Sequence, residues 1–260
     1  MALCDLNGLY GIVRAFQAIE YPSHFLSHSH DFNKNFQFHL GAEMQLADRS
    51  AIVLLPMNKE GYARLCQIIT ESKRNSEKGF SNLTLSDLEF YSDDLLAFAL
   101  PPWNEERLEK LKEIFQDRLY LPVWKDYTWE SLDLYRQGLK YEELGFELFA
   151  TQRPFMHAPE RKPLHDVLTC ILHKTTLTKA KTRLLCNSER YLKPLSELAK
   201  IWADRPDLMG KTLSIAERLR FSLKELRYEY PEAARPPEKD PSTYLRELTM
   251  IGLSQRFPLG

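Results

Sequence analysis

"AIVLLPMNKEGYARLCQIITESKR", residues 51–74, sets a short apolar run against a segment whose apolar residues return every three or four positions. Residues 51–56 are too few for a helix and are aliphatic throughout, so they read as a buried strand, while 58–74 carry the period of an amphipathic helix. The same contrast recurs along the chain. "QFHLGAEMQL" (37–46), "LLAFAL" (95–100), "RLYLPVW" (118–124) and "FELFAT" (146–151) read as strands, and "NEERLEKLKEIF" (104–115) and "YTWESLDLYRQGLKYEEL" (127–144) as helices. Alternation of this kind implies an α/β fold with a mainly parallel sheet or barrel, whose functional groups gather at the C-terminal ends of the strands.

After about residue 160 the strand pattern stops. "PLHDVLTCILH", "PLSELAKIWAD", "RPDLMGKTLSIAERLR" and "DPSTYLRELTMIGLSQRF" read as helices, three of them introduced by proline. "YEYPEAARPPEKDP" holds four prolines in fourteen residues and reads as a linker before the last helix. No fixed-period repeat or low-complexity tract occurs.

The 260 residues are enough to bury a large core, and no run of 18 apolar residues suggests a membrane span. The start lacks the basic and long apolar regions of a secretory signal, so the cytoplasm is the expected location. Cys4, Cys66, Cys170 and Cys186 form no C-x-x-C pair, and they read as reduced, mostly buried thiols. Net charge is −1, which gives no global attraction to nucleic acid. The charge is uneven, however: nine acids oppose three bases over 84–117, and eight bases oppose three acids over 160–193. That basic tract, with Lys179, Lys181 and Arg183 near its centre, either contacts phosphates as a DNA-binding surface or is a solvated helix face.

Specific motifs are few. "MGKT" (209–212) lacks the glycine a phosphate loop needs at position 205, which is Arg205, and no G-x-S-x-G is present. "SHFLSHSHDF" places His24, His28 and His30 near Asp31, either as ligands of a divalent metal or as imidazoles in a polar loop. In "ALCDLNGLYG" Asp5 ends a short apolar segment before Asn7-Gly8 and a helix; it is either a metal ligand at a strand end or a helix-capping carboxylate.

Several long blocks, in order, carry a family resemblance: "LCDLNGLYGIVRAFQAI", "HLGAEMQL", "IVLLPMNKEGYARLCQIIT", "KGFSNLTLSDL", "PERKPLHDVLTCILHKTTL", "NSERYLKPLSELAKIW", "FSLKELRYEYP" and "STYLRELTMIGLSQRFP". Together they resemble the N-terminal PHP (polymerase and histidinol phosphatase) domain of bacterial C-family DNA polymerases, the DNA polymerase III alpha subunits, and most closely their error-prone branch. The resemblance implies a distorted, incomplete (β/α) barrel over 1–174 and a helical extension over 175–260 leading toward a polymerase palm. It implies a first strand before residue 1, so that the chain is expected to be a fragment, a late-start gene model or a remnant with two unpaired sheet edges.

In that family His, Asp and Glu converge on metal ions that suit phosphoester hydrolysis. Asp5 and Glu43 match two ligand positions, but Leu6 stands where a histidine belongs, and Arg153 and Phe155 stand where an aspartate and a histidine would ligate. The resemblance therefore implies a degenerate metal site, no catalytic residues and no cofactor, and a scaffold for the polymerase core and for replication or repair partners. The alternative is an active phosphatase or 3′-5′ exonuclease with zinc or manganese held by Asp5, Glu43 and histidines 24–30. Trp103, Trp124, Trp129 and Trp202 are expected to pack in the core or its rim, His165 to be a satisfied surface histidine, and Cys170 to pack inward.

Overall fold

The computed structural model describes residues 1–22, 36–77, 80–227 and 235–258. The chain forms two compact units, Met1–Glu225 and Leu226–Gly260. The first is built on one six-stranded sheet in the order β1 (Ala2–Leu6), β2 (His39–Gln45), β3 (Ala51–Pro56), β4 (Leu95–Ala99), β5 (Leu119–Val123), β6 (Glu147–Ala150). β1 pairs parallel with β2, β3 pairs antiparallel with both neighbours, and β4, β5 and β6 are mutually parallel. Five strands thus run one way and only β3 is reversed, because the five residues joining β2 to β3 allow a hairpin and not a crossover. The fold is α/β with an open sheet: among the described residues no strand pair joins β6 to β1.

Several of the helices start where side chains cap them. In α2 (Lys59–Arg74) Asn58 accepts from the Gly61 amide, in α4 (Glu105–Phe115) Asn104 accepts from that of Arg107, and in α5 (Trp129–Glu143) Thr128 accepts from that of Ser131. α1 (Ile12–Glu20) follows β1, and α3 (Leu85–Tyr91), which apolar period alone did not reveal, is set by a capping box between Thr84 and Asp87.

α2, α4 and α5 cover one face of the sheet. Leu65, Ile68, Leu108, Leu111, Phe115 and Leu134 pack there on Ala42, Leu54, Ala97 and Leu121. Each such side chain is worth about 1.5–3 kcal/mol on burial. The opposite face carries Val53, Leu55, Leu96, Tyr120 and Phe149.

After β6 come α6 (Lys162–Leu172), α7 (Leu177–Ala180), α8 (Leu195–Ile201) and α9 (Pro206–Arg218). All four belong to the unit of the sheet, so the helical stretch from residue 175 divides at 225. α9 places Leu208 in the core of the first face and Ile215 in that of the second. One helix reaches both faces because it crosses β6 on the side away from β5, and Lys211 bonds Glu147 there. Among the described residues β1 and β6 each pair with one strand only, as expected, and the β6 edge is in addition covered by a helix, a standard way to blunt it.

Trp103, Trp124 and Trp202 are buried as expected, but Trp129 is 80% exposed. It occupies the first position of α5, just beyond the Thr128 cap, where the helix leaves the strand end and points that side chain into solvent. In the second unit α10 (Pro241–Arg256) begins at Asp240, whose Oδ2 accepts from the Ser242 and Thr243 amides. Among the described residues no helix is long and apolar enough to cross a membrane.

Candidate functional site

The shared strand direction brings the C-terminal ends of β1, β2, β4, β5 and β6 to one end of the sheet, and a cluster of charged residues collects around Trp124 there. Trp124 follows β5 directly, and Arg153 lies three residues beyond β6. Thr151 N donates to Val123 O at 2.9 Å, which extends the β5–β6 pairing to the base of the cluster. Arg153 has φ 42, a left-handed conformation that costs a non-glycine residue about 1 kcal/mol or more.

That turn carries the Arg153 side chain to Glu43, with Nη2 2.9 Å from Oε1. Its guanidinium carbon lies 5.5 Å from the Trp124 ring centroid, and that of Arg190 lies 4.9 Å from the same ring and 4.6 Å from that of Phe155. Arg190 Nε donates to Arg153 O at 2.9 Å, and its Nη1 lies 3.6 Å from Asp126 Oδ2. Burial, then the neighbouring Arg153 cation, pushes the Arg190 guanidinium down to about 10, which leaves it charged at neutral pH. Asp126 also accepts from the Thr128 hydroxyl at 2.6 Å, so the residue that pairs with Arg190 steadies the cap of α5.

The register separates the two expected metal positions. Asp5 pairs with Ala42, and Leu6 with Glu43, so Asp5 shares the face of Ala42 while Glu43 shares that of its partner Val53. Asp5 Oδ2 accepts from Gly11 N at 2.6 Å, at the entrance to α1. Glu43 is engaged by a cation. Cys4, on the same face as Glu43, has its thiol pushed up to about 12 by burial and then by the Glu43 and Asp5 carboxylates. Among the described residues no group of three or more His, Cys, Asp or Glu converges, and His24, His28, His30 and Asp31 lie outside them. Arg153 on Glu43, and Asp5 turned toward Gly11, do not fit a divalent cation, since a guanidinium repels one.

Phe155 stands exposed beside His165, with ring centroids 5.4 Å apart. His165 corrects the expectation of a satisfied surface histidine: its side chain faces inward, and Nδ1 is buried with no hydrogen-bond partner among the described residues. Cys170 is buried, whereas Cys186 is exposed.

The basic tract divides as well. Lys162 pairs with Asp166 at 2.7 Å, Arg190 belongs to the cluster, and buried Lys193 pairs with Glu189 at 2.9 Å. Arg161, Lys174, Lys179, Lys181 and Arg183 are exposed and make no ion pair among the described residues. Asp126 and Trp124 had no sequence signal as members of this cluster, and Arg190 was marked only as part of the basic tract. Their partners lie 37 to 110 positions apart for the hydrogen bonds of the Arg190–Arg153–Glu43 chain, and only the fold joins them.

No family model matches the chain. Its whole length is 54% identical to an error-prone DNA polymerase of Bdellovibrio bacteriovorus, 36% identical to one of Methylococcus capsulatus and 34% identical to one of Pseudomonas savastanoi pv. phaseolicola. In each case the chain spans 24% of the relative's length. The chain is thus similar, from end to end, to a segment that makes up about a quarter of error-prone DNA polymerases.

Proposed function

We propose that this chain is the PHP-type region of an error-prone polymerase of the alpha-subunit kind, acting in DNA replication and repair in the cytoplasm. Its role is to support the polymerase core and to present surface to replication or repair partners, with a degenerate metal site that performs no hydrolysis. The observation that carries this reading is the 2.9 Å ion pair of Arg153 with Glu43. A fixed guanidinium neutralises Glu43, one of the two carboxylates at the expected metal positions, and it ties β2 to the segment after β6. The similarity to error-prone DNA polymerases along the entire chain supports the polymerase setting.

The test is a titration of the full chain with Zn²⁺ and Mn²⁺, with hydrolysis of p-nitrophenyl phosphate and of a 3′-labelled oligonucleotide followed in parallel. The expected result is no stoichiometric binding and no metal-dependent turnover. Turnover that disappears in Glu43→Ala would refute the reading in favour of a metal-dependent phosphoesterase.

A further inference from the structure

α6 is amphipathic in the inverted sense. Lys162, His165, Asp166, Thr169 and Cys170 face the protein, and Pro163, Leu164, Val167, Leu168, Ile171 and Leu172 face outward. Both sets follow the i, i+3, i+4, i+7, i+8 spacing, so a single helix has its polar stripe inside and its apolar stripe outside. The inward stripe is held in place: Lys162 pairs with Asp166 at 2.7 Å, the His165 ring lies against Phe155, and the Thr169 hydroxyl donates to His165 O at 2.9 Å. Rotation about the helix axis to hide the leucines would break these contacts and Cys170 packing together. Leu168, Ile171 and Leu172 are 55%, 66% and 76% exposed. Scattered exposed leucines are ordinary, but a continuous stripe of six apolar residues on one helix marks a contact surface.

The charge around the stripe identifies what covers it. Arg161 precedes the helix, and Lys174, Lys179, Lys181 and Arg183 follow it, all exposed and without a carboxylate partner among the described residues. An occupant that complements this surface is apolar at its centre and carries carboxylates at its rim.

We propose that the outer face of α6 is a docking surface for such an apolar, acid-rimmed surface on the polymerase body, the part of the relatives' length that this chain does not span. The proposal rests on the polymerase reading above. It specifies the helix that makes the contact and the chemistry of the surface that it meets.

The test uses the full 260-residue chain with photoreactive p-benzoylphenylalanine at Leu168, and as probe the Bdellovibrio bacteriovorus polymerase lacking its matched quarter. Capture of the probe with a cross-link from position 168 is the expected result, and Leu168→Glu with Ile171→Glu weakens capture by about thirtyfold. The same double variant keeps the melting temperature of the isolated chain, because both side chains are already in solvent. Capture without a cross-link at 168 overturns the surface and leaves the polymerase reading standing. A cross-link to a second copy, or to added oligo-dT, overturns the proposal in favour of self-association or nucleic-acid binding. No capture by any variant overturns the polymerase reading itself.

Discussion

Removing the Arg153 cation tests the candidate site most directly. Arg153 Nη2 and Glu43 Oε1 are 2.9 Å apart, with side chains 29% and 25% exposed. A fully exposed pair contributes about 0–1 kcal/mol, and breaking a fully buried one costs about 3–5 kcal/mol. The partial exposure places Arg153→Met between these limits, at about 1–2 kcal/mol, since Glu43 is left half-buried without its partner. For a unit of this size that is a fall in melting temperature of roughly 2–8 °C. Glu43→Gln leaves Arg153 beside Arg190 with one less anion and costs a similar amount. The double variant loses less than the sum, with a coupling of about 1 kcal/mol that shrinks at about 1 M salt. Urea denaturation of the four proteins at low and high salt measures each quantity. A coupling below about 0.3 kcal/mol lies within ordinary additivity and would refute the ion pair as the tie between β2 and the β6 loop.

Other perturbations bear on the fold around the site. With its thiol held near 12, Cys4 should alkylate with iodoacetamide at mildly alkaline pH far more slowly than exposed Cys186. Because the folded value lies above the ordinary 9.0, the stabilisation from Cys4 is complete below about pH 9 and is lost as pH rises toward about 12. Cys4→Ala should flatten that alkaline loss, and equal labelling of the two thiols would count against the burial of Cys4. Gly61→Ala should cost about 2–3 kcal/mol, since its Cβ would lie 2.2 Å from Asp94 O, whereas Gly210→Ala, with nothing within 4 Å, should stabilise α9 by about 0.5–1 kcal/mol. Opposite signs in thermal melts check the pair. Thr84→Ala should cost about 1 kcal/mol by opening the α3 capping box, and an unchanged melt would rule out that cap.

Much of the fold was legible locally. The strand at Ala51–Pro56 and the helices at Lys59–Arg74, Glu105–Phe115 and Trp129–Glu143 lie within two residues of the segments marked by apolar period, because each buries one stripe or one run against a single sheet. α3 was harder: seven residues give too few turns for a period to emerge, and its signal is the Thr84/Asp87 cap. For the site, Glu43 and Arg153 were legible as positions but their contact was not, since an ion pair spanning 110 residues depends on strand order. Arg190 and Lys193 looked like members of a basic surface. Burial reverses that reading, because a lysine or arginine counts toward a surface only where its cation reaches water. The inversion of α6 was equally hidden: an amphipathic period states that a helix has two faces, and only packing decides which one turns inward.

The covering of β6 by α9 has a consequence during synthesis. Ala150 and Arg218 are separated by 68 residues, so the ribosome completes the strand well before the helix that shields it. At roughly 5–20 residues per second, β6 would wait about 3–14 s with its hydrogen-bonding groups open on one side. Through that interval a nascent chain offers a sticky β-edge that the finished protein lacks, and a chaperone or slow codons after residue 150 would matter more to yield than to final stability.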